Sequence, residues 1–325
     1  MRGNDGTQFK KVAVVDIGSN SSKILIAKVN SDGSVFPDLE RSFPCRLISS
    51  ETIETGKIGA SEVQKLIDAL HQLLEMASTS SPDCLVLVAT QALRNAKNKS
   101  EIIREVNERF SLNLIVLSGE KEAEFIASGV CADPNLNGNQ SFKAFDLGGG
   151  SLELIECDPN RQIFTKSLPL GALSIAANYP FDFNNALTSS VREDLEENVF
   201  TQISQSGLNQ VQGAKLIGLG GAIYWLRKIL SQRKFVDFNQ HHMFSSNEIS
   251  ELSKYVCEMT LEKRKVEFPE IPSDRIDVLP VVCIVVEQLM RCSNSECFFH
   301  SFYNLRYGIA SRVGMSQELG ILSDQ

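Results

Sequence analysis

Two short turns in this sequence share one pattern of aspartate, glycine and serine. The first lies in Val14–Ser22 and the second in Ala144–Leu152. Each turn follows one apolar run and precedes another, which predicts a β-hairpin with a turn of small polar residues. Such turns gather backbone N–H groups into a concavity that suits phosphate oxygens, and an aspartate at the strand end could hold a divalent cation. Aligning the turns places Asp16 on Asp146, Gly18 on Gly148 and Ser21 on Ser151.

The alternative interpretation is that Asp-x-Gly-Ser is only a favourable turn sequence. A single copy would not separate the two interpretations, but repetition at matching positions favours a pair of phosphate-binding turns. The predicted phosphate-binding residues are Gly18, Ser19, Asn20 and Ser21 in the first turn and Gly148, Gly149, Gly150 and Ser151 in the second. Asp16 and Asp146 are the predicted metal ligands.

A glutamate near the start of a predicted helix is the candidate general base. Ser118 is a candidate N-cap, and the lysine three residues later means that no capping box forms. Helical spacing puts Glu122 on the apolar face, whereas Glu120 and Glu124 lie on the opposite, solvated face. Glu122 is therefore either a buried structural acceptor or a general base, whose ionised form the helix dipole would favour.

Two strand-to-helix junctions are further candidate phosphate contacts. Arg94 follows the predicted buried strand Cys84–Val88, and Gly220 and Gly221 follow the predicted strand Ala214–Ile217. Each signal is weak alone, because exposed arginines are common and glycines at such junctions also serve packing. The basic clusters are predicted to be solvated faces; they are Arg227-Lys228, Arg233-Lys234 and Lys263-Arg264-Lys265.

Composition limits the class of protein. The 325 residues predict two compact units, and the net charge of −8 argues against broad nucleic-acid binding. Eight cysteines occur singly without a C-x-x-C pair, which indicates neither a zinc site nor a dithiol redox motif. The polar start of the chain lacks the apolar core of a signal peptide, and no apolar run reaches membrane-spanning length. We therefore expect a cytoplasmic protein that binds neither nucleic acid nor membranes.

Predicted strands and helices alternate along the chain, which is typical of an α/β protein. After the first hairpin, the chain up to about Gly59 is predicted to be extended, and a helix is expected from Ser61. The repeated hairpins predict two lobes with a cleft that opens and closes. We expect residues 1–126 to form lobe I, residues 127–302 to form lobe II, and residues 303–325 to pack back onto lobe I.

A series of motifs in one order resembles the exopolyphosphatase / guanosine pentaphosphate phosphatase family, in a short two-lobe form. The motifs are Asp16-Ile-Gly-Ser-Asn-Ser, Ala89-Thr-x-Ala-Leu-Arg94, Ser118-Gly-Glu-x-Glu-Ala, Asp146-x-Gly-Gly-Gly-Ser, Leu168-Pro-Leu-Gly-Ala, Gly218-x-Gly-Gly, Arg275-x-Asp277-Val-Leu-Pro and Leu305-Arg306-x-Gly308. The resemblance implies the actin-like fold of the sugar kinases and heat-shock chaperone ATPases. In that α/β fold, two ribonuclease-H-like lobes surround a cleft.

The same resemblance implies an activity and roles for particular residues. Members of the family hydrolyse the terminal phosphate of inorganic polyphosphate or the 5′-γ-phosphate of guanosine pentaphosphate, with Mg²⁺; Mn²⁺ is the alternative ion. Glu122 corresponds to the catalytic glutamate, Asp16 and Asp146 to metal-associated aspartates, and Arg94 to a phosphate-contacting arginine. Glu153 matches an acidic position near the site and is the third predicted metal ligand. A homodimer is the candidate assembly.

Three departures from the family pattern concern phosphate or nucleotide binding. Ser174 stands where an arginine or a similar residue is usual, Ala222 replaces a threonine, and Asn304 replaces a glycine. Two alternatives to the hydrolase stay open, the first because the cleft of related folds delivers phosphate from ATP and the second because of these departures. One is an ATP-dependent phosphotransferase of the same fold, and the other is a weakly catalytic regulator that binds polyphosphate or alarmone.

Overall fold

The computed structural model describes residues 9–136, 141–158, 163–207 and 214–315. The chain forms two compact units. Unit 1 comprises Met1–Gly138 and Tyr303–Gln325, and unit 2 comprises Asn139–Phe302. Within the part of the chain that is described, no helix is both long and apolar enough to cross a membrane.

Unit 1 contains a five-stranded mixed sheet with the order β3-β2-β1-β4-β5. Its first three strands form an antiparallel meander, and the last two run parallel to the first. The strands are β1 Phe9–Ile17, β2 Ser21–Asn30, β3 Val35–Pro44, β4 Cys84–Ala89 and β5 Leu114–Val116. The helices up to this point of the chain are α1 Ser50–Thr55, α2 Ala60–Ser80, α3 Gln91–Asn95, α4 Lys99–Phe110 and α5 Gly119–Cys131.

Side-chain alternation along β1 gives the strand two buried faces. Ala13, Val15 and Ile17 pack into a core shared with Leu66 of α2 and Val106 of α4. The intervening residues of β1 lie on the other face of the sheet. Asp16 is the residue before the end of the strand. Its side chain therefore lies on this second face and not on the face that packs against α2 and α4.

The prediction of an extended chain up to Gly59 is wrong over α1. This helix has only six residues, Ser49 caps its start by accepting a hydrogen bond from the Thr52 N–H, and Gly56 ends it with φ 72°. A helix shorter than two turns leaves too little periodic pattern to be seen in the sequence, because the signal comes from repeated apolar spacing.

Unit 2 contains a six-stranded sheet with the order β10-β11-β9-β6-β7-β8. Its strands are β6 Phe142–Leu147, β7 Leu152–Cys157, β8 Ile163–Leu168, β9 Lys215–Leu219, β10 Met243–Ser245 and β11 Cys297–His300. The helices are α6 Ala172–Asn178, α7 Ser189–Ser204, α8 Gly220–Lys234, α9 Ser246–Cys257, α10 Leu261–Glu267, α11 Ser273–Ile276 and α12 Leu279–Cys292. The five strands β8-β7-β6-β9-β11 repeat the order of unit 1, and β10 adds an antiparallel edge. This repetition is the two-lobed α/β architecture expected from the sequence.

Two of the basic clusters that were predicted to be solvated contain buried arginines. Arg264 is fully buried and donates to the backbone carbonyls of Phe183, Ile276 and Asp277. Arg227 is also buried and donates to the carbonyl of Phe238. An arginine offers several donors in a fixed fork, so it can satisfy loop carbonyls that are distant in sequence. That tertiary role cannot be seen in a local run of charges.

The last described helix, α13 Leu305–Met315, returns to unit 1 and packs against α5, β1 and β2. Two glycines allow the backbones of α13 and α5 to touch. A Cβ on Gly308 would lie 1.7 Å from the Phe125 carbonyl oxygen, and one on Gly129 would lie 2.4 Å from the Asn304 carbonyl oxygen. The predicted boundary after residue 126 falls inside α5, which continues to Cys131, so the chain leaves unit 1 later than predicted.

Candidate active site

The first glycine–serine turn joins β1 to β2. The Gly18 N–H donates to the Ser21 carbonyl at 3.2 Å, which closes the turn. The Ser19 carbonyl accepts the N–H of Leu47 at 2.8 Å, and the Asn20 carbonyl accepts the N–H of Arg46 at 2.9 Å. Because a trans peptide directs its carbonyl and the following N–H to opposite sides, the N–H groups of the turn point away from that segment. This is the orientation that a phosphate cradle requires.

The second turn, between β6 and β7, repeats this arrangement. The Gly148 N–H donates to the Ser151 carbonyl at 3.0 Å. The Gly149 carbonyl accepts the N–H of Leu173 at 2.8 Å, so the start of α6 holds the turn from behind. A Cβ on Gly171 would lie 2.2 Å from the carbonyl carbon of Gly150, so only glycine permits this approach. Both predicted hairpins are therefore present and close with the same hydrogen bond.

Ser174 has a structural role in this second turn. Its hydroxyl donates to the Gly150 carbonyl at 2.8 Å, and its N–H donates to the Gly149 carbonyl at 3.0 Å. The departure from the usual arginine thus places a short hydroxyl side chain against the cradle. Ser174 supports the orientation of the turn and does not add a positive charge.

Asp16 lies near the end of β1 and is 8% exposed. Its Oδ2 is 3.8 Å from Nη1 of Arg306, and its buried Oδ1 has no hydrogen-bond donor among the described residues. Burial raises the pKa of Asp16, whereas the charges of Lys23 and Arg306 act to lower it. A buried carboxylate oxygen without a donor is costly, and a cation or its bound water would satisfy it. Asp16 therefore fits a metal-binding role.

Unit 2 carries two acidic residues at the equivalent place. Asp146 on β6 pairs in register with Glu153 on β7, and the buried Glu153 accepts a hydrogen bond from the Ser167 hydroxyl at 3.0 Å. Like charges on directly paired residues repel, and a divalent cation would relieve that repulsion. In unit 1, Asp16 instead faces Lys23 at the matching register position.

Across the described ranges, no three side chains of histidine, cysteine, aspartate or glutamate converge as a metal cage. A cage of three side chains is not required for every ion: Mg²⁺ keeps several waters and usually binds proteins through one or two carboxylates together with phosphate oxygens.

Glu122 lies at the start of α5, as the helical spacing predicts. Ser118 caps the helix by accepting the Lys121 N–H at 3.2 Å. Glu122 is buried at 7% exposure, whereas Glu120 and Glu124 are exposed, so the predicted helical phase is confirmed. One carboxylate of three is thus directed into the protein.

Arg94 is bound to Glu122. Its Nη1 donates to Oε2 of Glu122 at 3.0 Å and to the Leu117 carbonyl at 2.7 Å. The charge-assisted bond holds one oxygen of the carboxylate in place. Arg94, which the sequence predicts to contact phosphate, is therefore also the partner of the candidate base.

Gly220 and Gly221 form the first turn of α8, directly after β9. Gly220 adopts φ 88°, and a Cβ there would lie 2.2 Å from Oδ1 of Asp146, so glycine lets the helix start pack against that carboxylate. No side-chain hydrogen bond from the described residues caps α8. Helix starts without a side-chain cap are common anion-binding sites, and anion binding at Gly220 and Gly221 stays a prediction.

Arg306 and Glu40 are the charged residues that sequence reasoning missed. Arg306, in the first turn of α13, is 7% exposed, and its Nη2 donates to Oε1 of Glu40 on β3 at 3.3 Å. Arg306 belongs to the motif Leu305-Arg306-x-Gly308, and this motif is the signal by which it could have been found. Nothing in the sequence around Glu40 distinguishes it from an ordinary exposed glutamate.

Repeated ribonuclease-H-like sheets, each with a strand-end aspartate and a glycine–serine turn, define an actin-like ATPase fold. A model of the Ppx/GppA phosphatase family matches residues 25–315, and the chain belongs to this family.

Curated relatives carry two kinds of name. A putative exopolyphosphatase of Haemophilus influenzae is 27% identical over 204 residues, which cover 60% of each protein. Exopolyphosphatase 1 of Mycobacterium tuberculosis is 30% identical over 168 residues, 50% of this chain and 46% of the relative. The guanosine-5'-triphosphate,3'-diphosphate pyrophosphatase of Vibrio cholerae is 27% identical over 225 residues, 67% of this chain and 43% of the relative. The chain thus spans about half the length of these relatives.

Solved structures share the fold. The Ppx/GppA family member of Aquifex aeolicus superposes with a TM-score of 0.78 at 22% identity, covering 94% of this chain and 97% of that one. An exopolyphosphatase from Cytophaga hutchinsonii superposes with a TM-score of 0.82 at 19% identity, covering 95% of this chain and all of that one. At these identities the likeness concerns the fold.

Proposed function

We propose that the protein is a phosphoanhydride hydrolase. It releases terminal orthophosphate from inorganic polyphosphate, or the 5′-γ-phosphate from guanosine pentaphosphate. The observation that carries this proposal is the repeated cradle. In each of the two turns, carbonyl groups accept hydrogen bonds from a neighbouring segment of the same unit, and each turn follows a strand-end aspartate. Membership of the phosphatase family and relatives named for these two activities support it.

Each cradle presents backbone N–H groups to the oxygens of a phosphate group. These donors are fixed by the hydrogen bonds behind the turns, so they need little reorganisation when charge moves during phosphoryl transfer. Phosphoryl transfer to water demands little covalent work from the protein, and positioning with charge stabilisation supplies most of the rate enhancement. The geometry of the two turns suits that requirement.

Glu122 is the proposed general base, which orients the attacking water and accepts its proton. Its position in the first turn of α5 favours the ionised carboxylate that a base needs. Arg94 fixes one carboxylate oxygen at 3.0 Å and thereby holds the side chain in a single orientation. The same arginine carries a positive charge that a phosphate group would attract.

Asp16 in unit 1 and Asp146 and Glu153 in unit 2 are the proposed ligands of divalent cations. Oxygen donors favour Mg²⁺, with Mn²⁺ as the alternative ion. A bound cation would supply charge neutralisation for the phosphate chain.

A weakly catalytic protein that binds polyphosphate or alarmone is the second candidate. The Arg94–Glu122 ion pair favours it, because a carboxylate oxygen that already accepts from a guanidinium at 3.0 Å is less available to an attacking water. This candidate predicts binding of the same polyanions with little release of phosphate.

The proposal is tested by measuring phosphate release from polyphosphate, guanosine pentaphosphate and ATP side by side, with MgCl₂ and with excess chelator. The hydrolase predicts release from one or both of the first two substrates that stops in chelator. A phosphotransferase would instead consume ATP only when an acceptor is present. Binding without release would favour the regulator.

A further inference from the structure

Arg306 lies between two carboxylates in unit 1 that differ in their surroundings. Its Nη2 donates to Oε1 of Glu40 at 3.3 Å, and its Nη1 is 3.8 Å from Oδ2 of Asp16. The side chain of Arg306 is 8% exposed, that of Asp16 is 12% exposed and that of Glu40 is 37% exposed. One guanidinium is therefore the counter-ion of both a buried carboxylate, Asp16, and a more exposed one, Glu40.

The two contacts of Arg306 are of different kinds. The distance to Glu40 is near the long end of a hydrogen bond, whereas the distance to Asp16 exceeds hydrogen-bond length and leaves only an electrostatic attraction. Nε of Arg306 and Oδ1 of Asp16 are both buried, and neither has a hydrogen-bond partner within the described residues. The guanidinium is thus held mainly by Glu40, and the hydrogen-bonding capacity of Asp16 is not used up.

We propose that Arg306 is an internal counter-ion that competes with the divalent cation for Asp16, and that Glu40 draws the guanidinium away from it. The inference rests on the metal site of the proposed function. A guanidinium and a divalent cation each neutralise the same carboxylate, but their mutual repulsion opposes simultaneous binding. Lys23, which pairs in register with Asp16, is the other cation that faces this carboxylate, and none of the variants below changes it.

Arg306 is therefore a positioning residue that sets the affinity of Asp16 for the cation. Removing it with Arg306→Gln should tighten Mg²⁺ binding by roughly tenfold or more, since a positive charge 3.8 Å from the carboxylate is lost. Glu40→Gln should weaken Mg²⁺ binding, because the guanidinium loses its alternative partner and is held more closely by Asp16. The two substitutions thus act in opposite directions.

A double variant separates competition from a general effect of charge. If Glu40 acts through Arg306, then Glu40→Gln should have little effect on Mg²⁺ affinity once Arg306→Gln is present. If both residues act only through their electric fields, the two effects should add. The cycle therefore tests the shared guanidinium directly.

The experiment is a calorimetric titration of the full chain with MgCl₂ in the absence of phosphate, together with thermal unfolding with and without MgCl₂. Asp16→Asn identifies the heat that belongs to the Asp16 site. Arg312→Gln removes an exposed arginine from the same helix, and Asp38→Asn removes an exposed carboxylate from the same strand as Glu40. Both controls should bind Mg²⁺ as the parent does.

The expected result has three parts. Mg²⁺ binds more tightly to Arg306→Gln than to the parent and more weakly to Glu40→Gln. The double variant binds Mg²⁺ with nearly the affinity of Arg306→Gln. Arg306→Gln should also be less stable without Mg²⁺ and gain more from its addition, since Asp16 has then lost its counter-ion. Unchanged affinities, weaker binding in both single variants, or additive effects would overturn the inference. So would a parent and an Arg306→Gln variant that both fail to bind Mg²⁺.

Phosphate release measured on the same preparations separates this inference from the proposed function. Magnesium-dependent release with unchanged affinities would mean that the function stands and the competition does not. Affinities that shift as stated, with no phosphate released from any substrate, would leave the competition in place and remove the hydrolase.

Discussion

The contact between Glu122 and Arg94 decides how the candidate base behaves as a single residue. The arginine fixes one carboxylate oxygen, and burial of the side chain keeps bulk water from displacing it. A general base needs a fixed position, and this ion pair supplies it.

Replacing the base while keeping its shape tests that role. Glu122→Gln should lower the turnover number by roughly 10²–10⁴-fold, the range typical of a positioned general base. Substrate binding should survive, because both cradles are unchanged and a negative charge has been removed. The turnover number and the dissociation constant of the substrate should be measured separately.

The neighbouring glutamates provide matched controls on the same helix. Glu120 and Glu124 are exposed, so Glu120→Gln and Glu124→Gln should leave turnover nearly unchanged. An inactive Glu120→Gln together with an active Glu122→Gln would show that the base has been assigned to the wrong residue.

Asp146 tests the metal at the residue scale. Asp146→Asn keeps the size of the side chain but removes one of two paired carboxylates, so it should abolish turnover or raise the Mg²⁺ concentration needed for it. The measurement is phosphate release as a function of Mg²⁺ concentration. A parent protein that is fully active in excess chelator would contradict the metal role altogether.

His300 makes stability depend on pH. Burial, with a smaller contribution from the charge of Arg227, lowers the pKa of His300 to about 3, and Nη1 of Arg227 is 3.3 Å from its Nδ1. Above the usual pKa of about 6.5, both the folded and unfolded forms are neutral and the stability is complete. As pH falls below that value, the unfolded chain takes up a proton that the folded one does not, so stability decreases.

The substitution His300→Gln removes this titration and keeps an acceptor for Arg227. Between about pH 6 and pH 5, the unfolding free energy of the parent should fall more steeply than that of the variant, by about 1 kcal/mol per pH unit. Urea unfolding at several pH values measures the slope. His71→Gln, on an exposed position of α2, is the control, and equal slopes in the parent and His300→Gln would refute the prediction.

At the scale of elements, the crossing of α5 and α13 is the feature most sensitive to side-chain size. The obstacle at Gly308 is the backbone carbonyl oxygen of Phe125, which cannot rotate away as a side chain would. A methyl group there must separate the two helices or distort one of them.

Gly308→Ala should therefore destabilise the protein despite the better helix propensity of alanine. We expect a loss of roughly 2–4 kcal/mol in the free energy of unfolding, since overpacking against backbone offers little relaxation. Urea unfolding compares it with Arg312→Ala, an exposed position on the same helix. A Gly308→Ala variant as stable as the parent would show that the helices are not in contact at this point.

Local patterns allowed much of the fold to be predicted. The two hairpins were predictable because apolar runs and polar turns repeat within ten residues, and the phase of Glu122 was predictable because helical spacing is local. The helix α1 was not predictable, since six residues give no periodicity. Burial of Arg227 and Arg264 was not predictable either, because their acceptors are backbone carbonyls on other segments.

The candidate site shows the same division. Glu122 and the two turns are defined by their own neighbours in sequence. The contact between Glu40 and Arg306 joins residues 266 positions apart, and no local pattern reports such a contact. In the sequence, Ser174 is notable only because an arginine is usual there. In the structure, its hydroxyl donates a hydrogen bond to the Gly150 carbonyl.

At the scale of the whole molecule, the repeated sheets differ in the charge that lies beside the strand-end aspartate. Both units place an aspartate at the end of the central strand, but its register partner is Lys23 in unit 1 and Glu153 in unit 2. The repeat therefore produces one aspartate that faces two cations of the chain, Lys23 and Arg306, and one pair of carboxylates. The two units therefore offer a divalent cation different surroundings: an aspartate beside positive charges in unit 1, and two carboxylates in unit 2.

The return of α13 to unit 1 also determines when that unit can be completed during synthesis. The strands of unit 1 leave the ribosome first, yet the face of β1 and β2 that α13 covers stays uncovered until residues 305–315 have been translated. Unit 2 is continuous in sequence and can finish folding in the meantime. A nascent chain therefore holds an incomplete first half next to a completed second one, and Arg306 reaches Asp16 only after nearly every other described residue has been made.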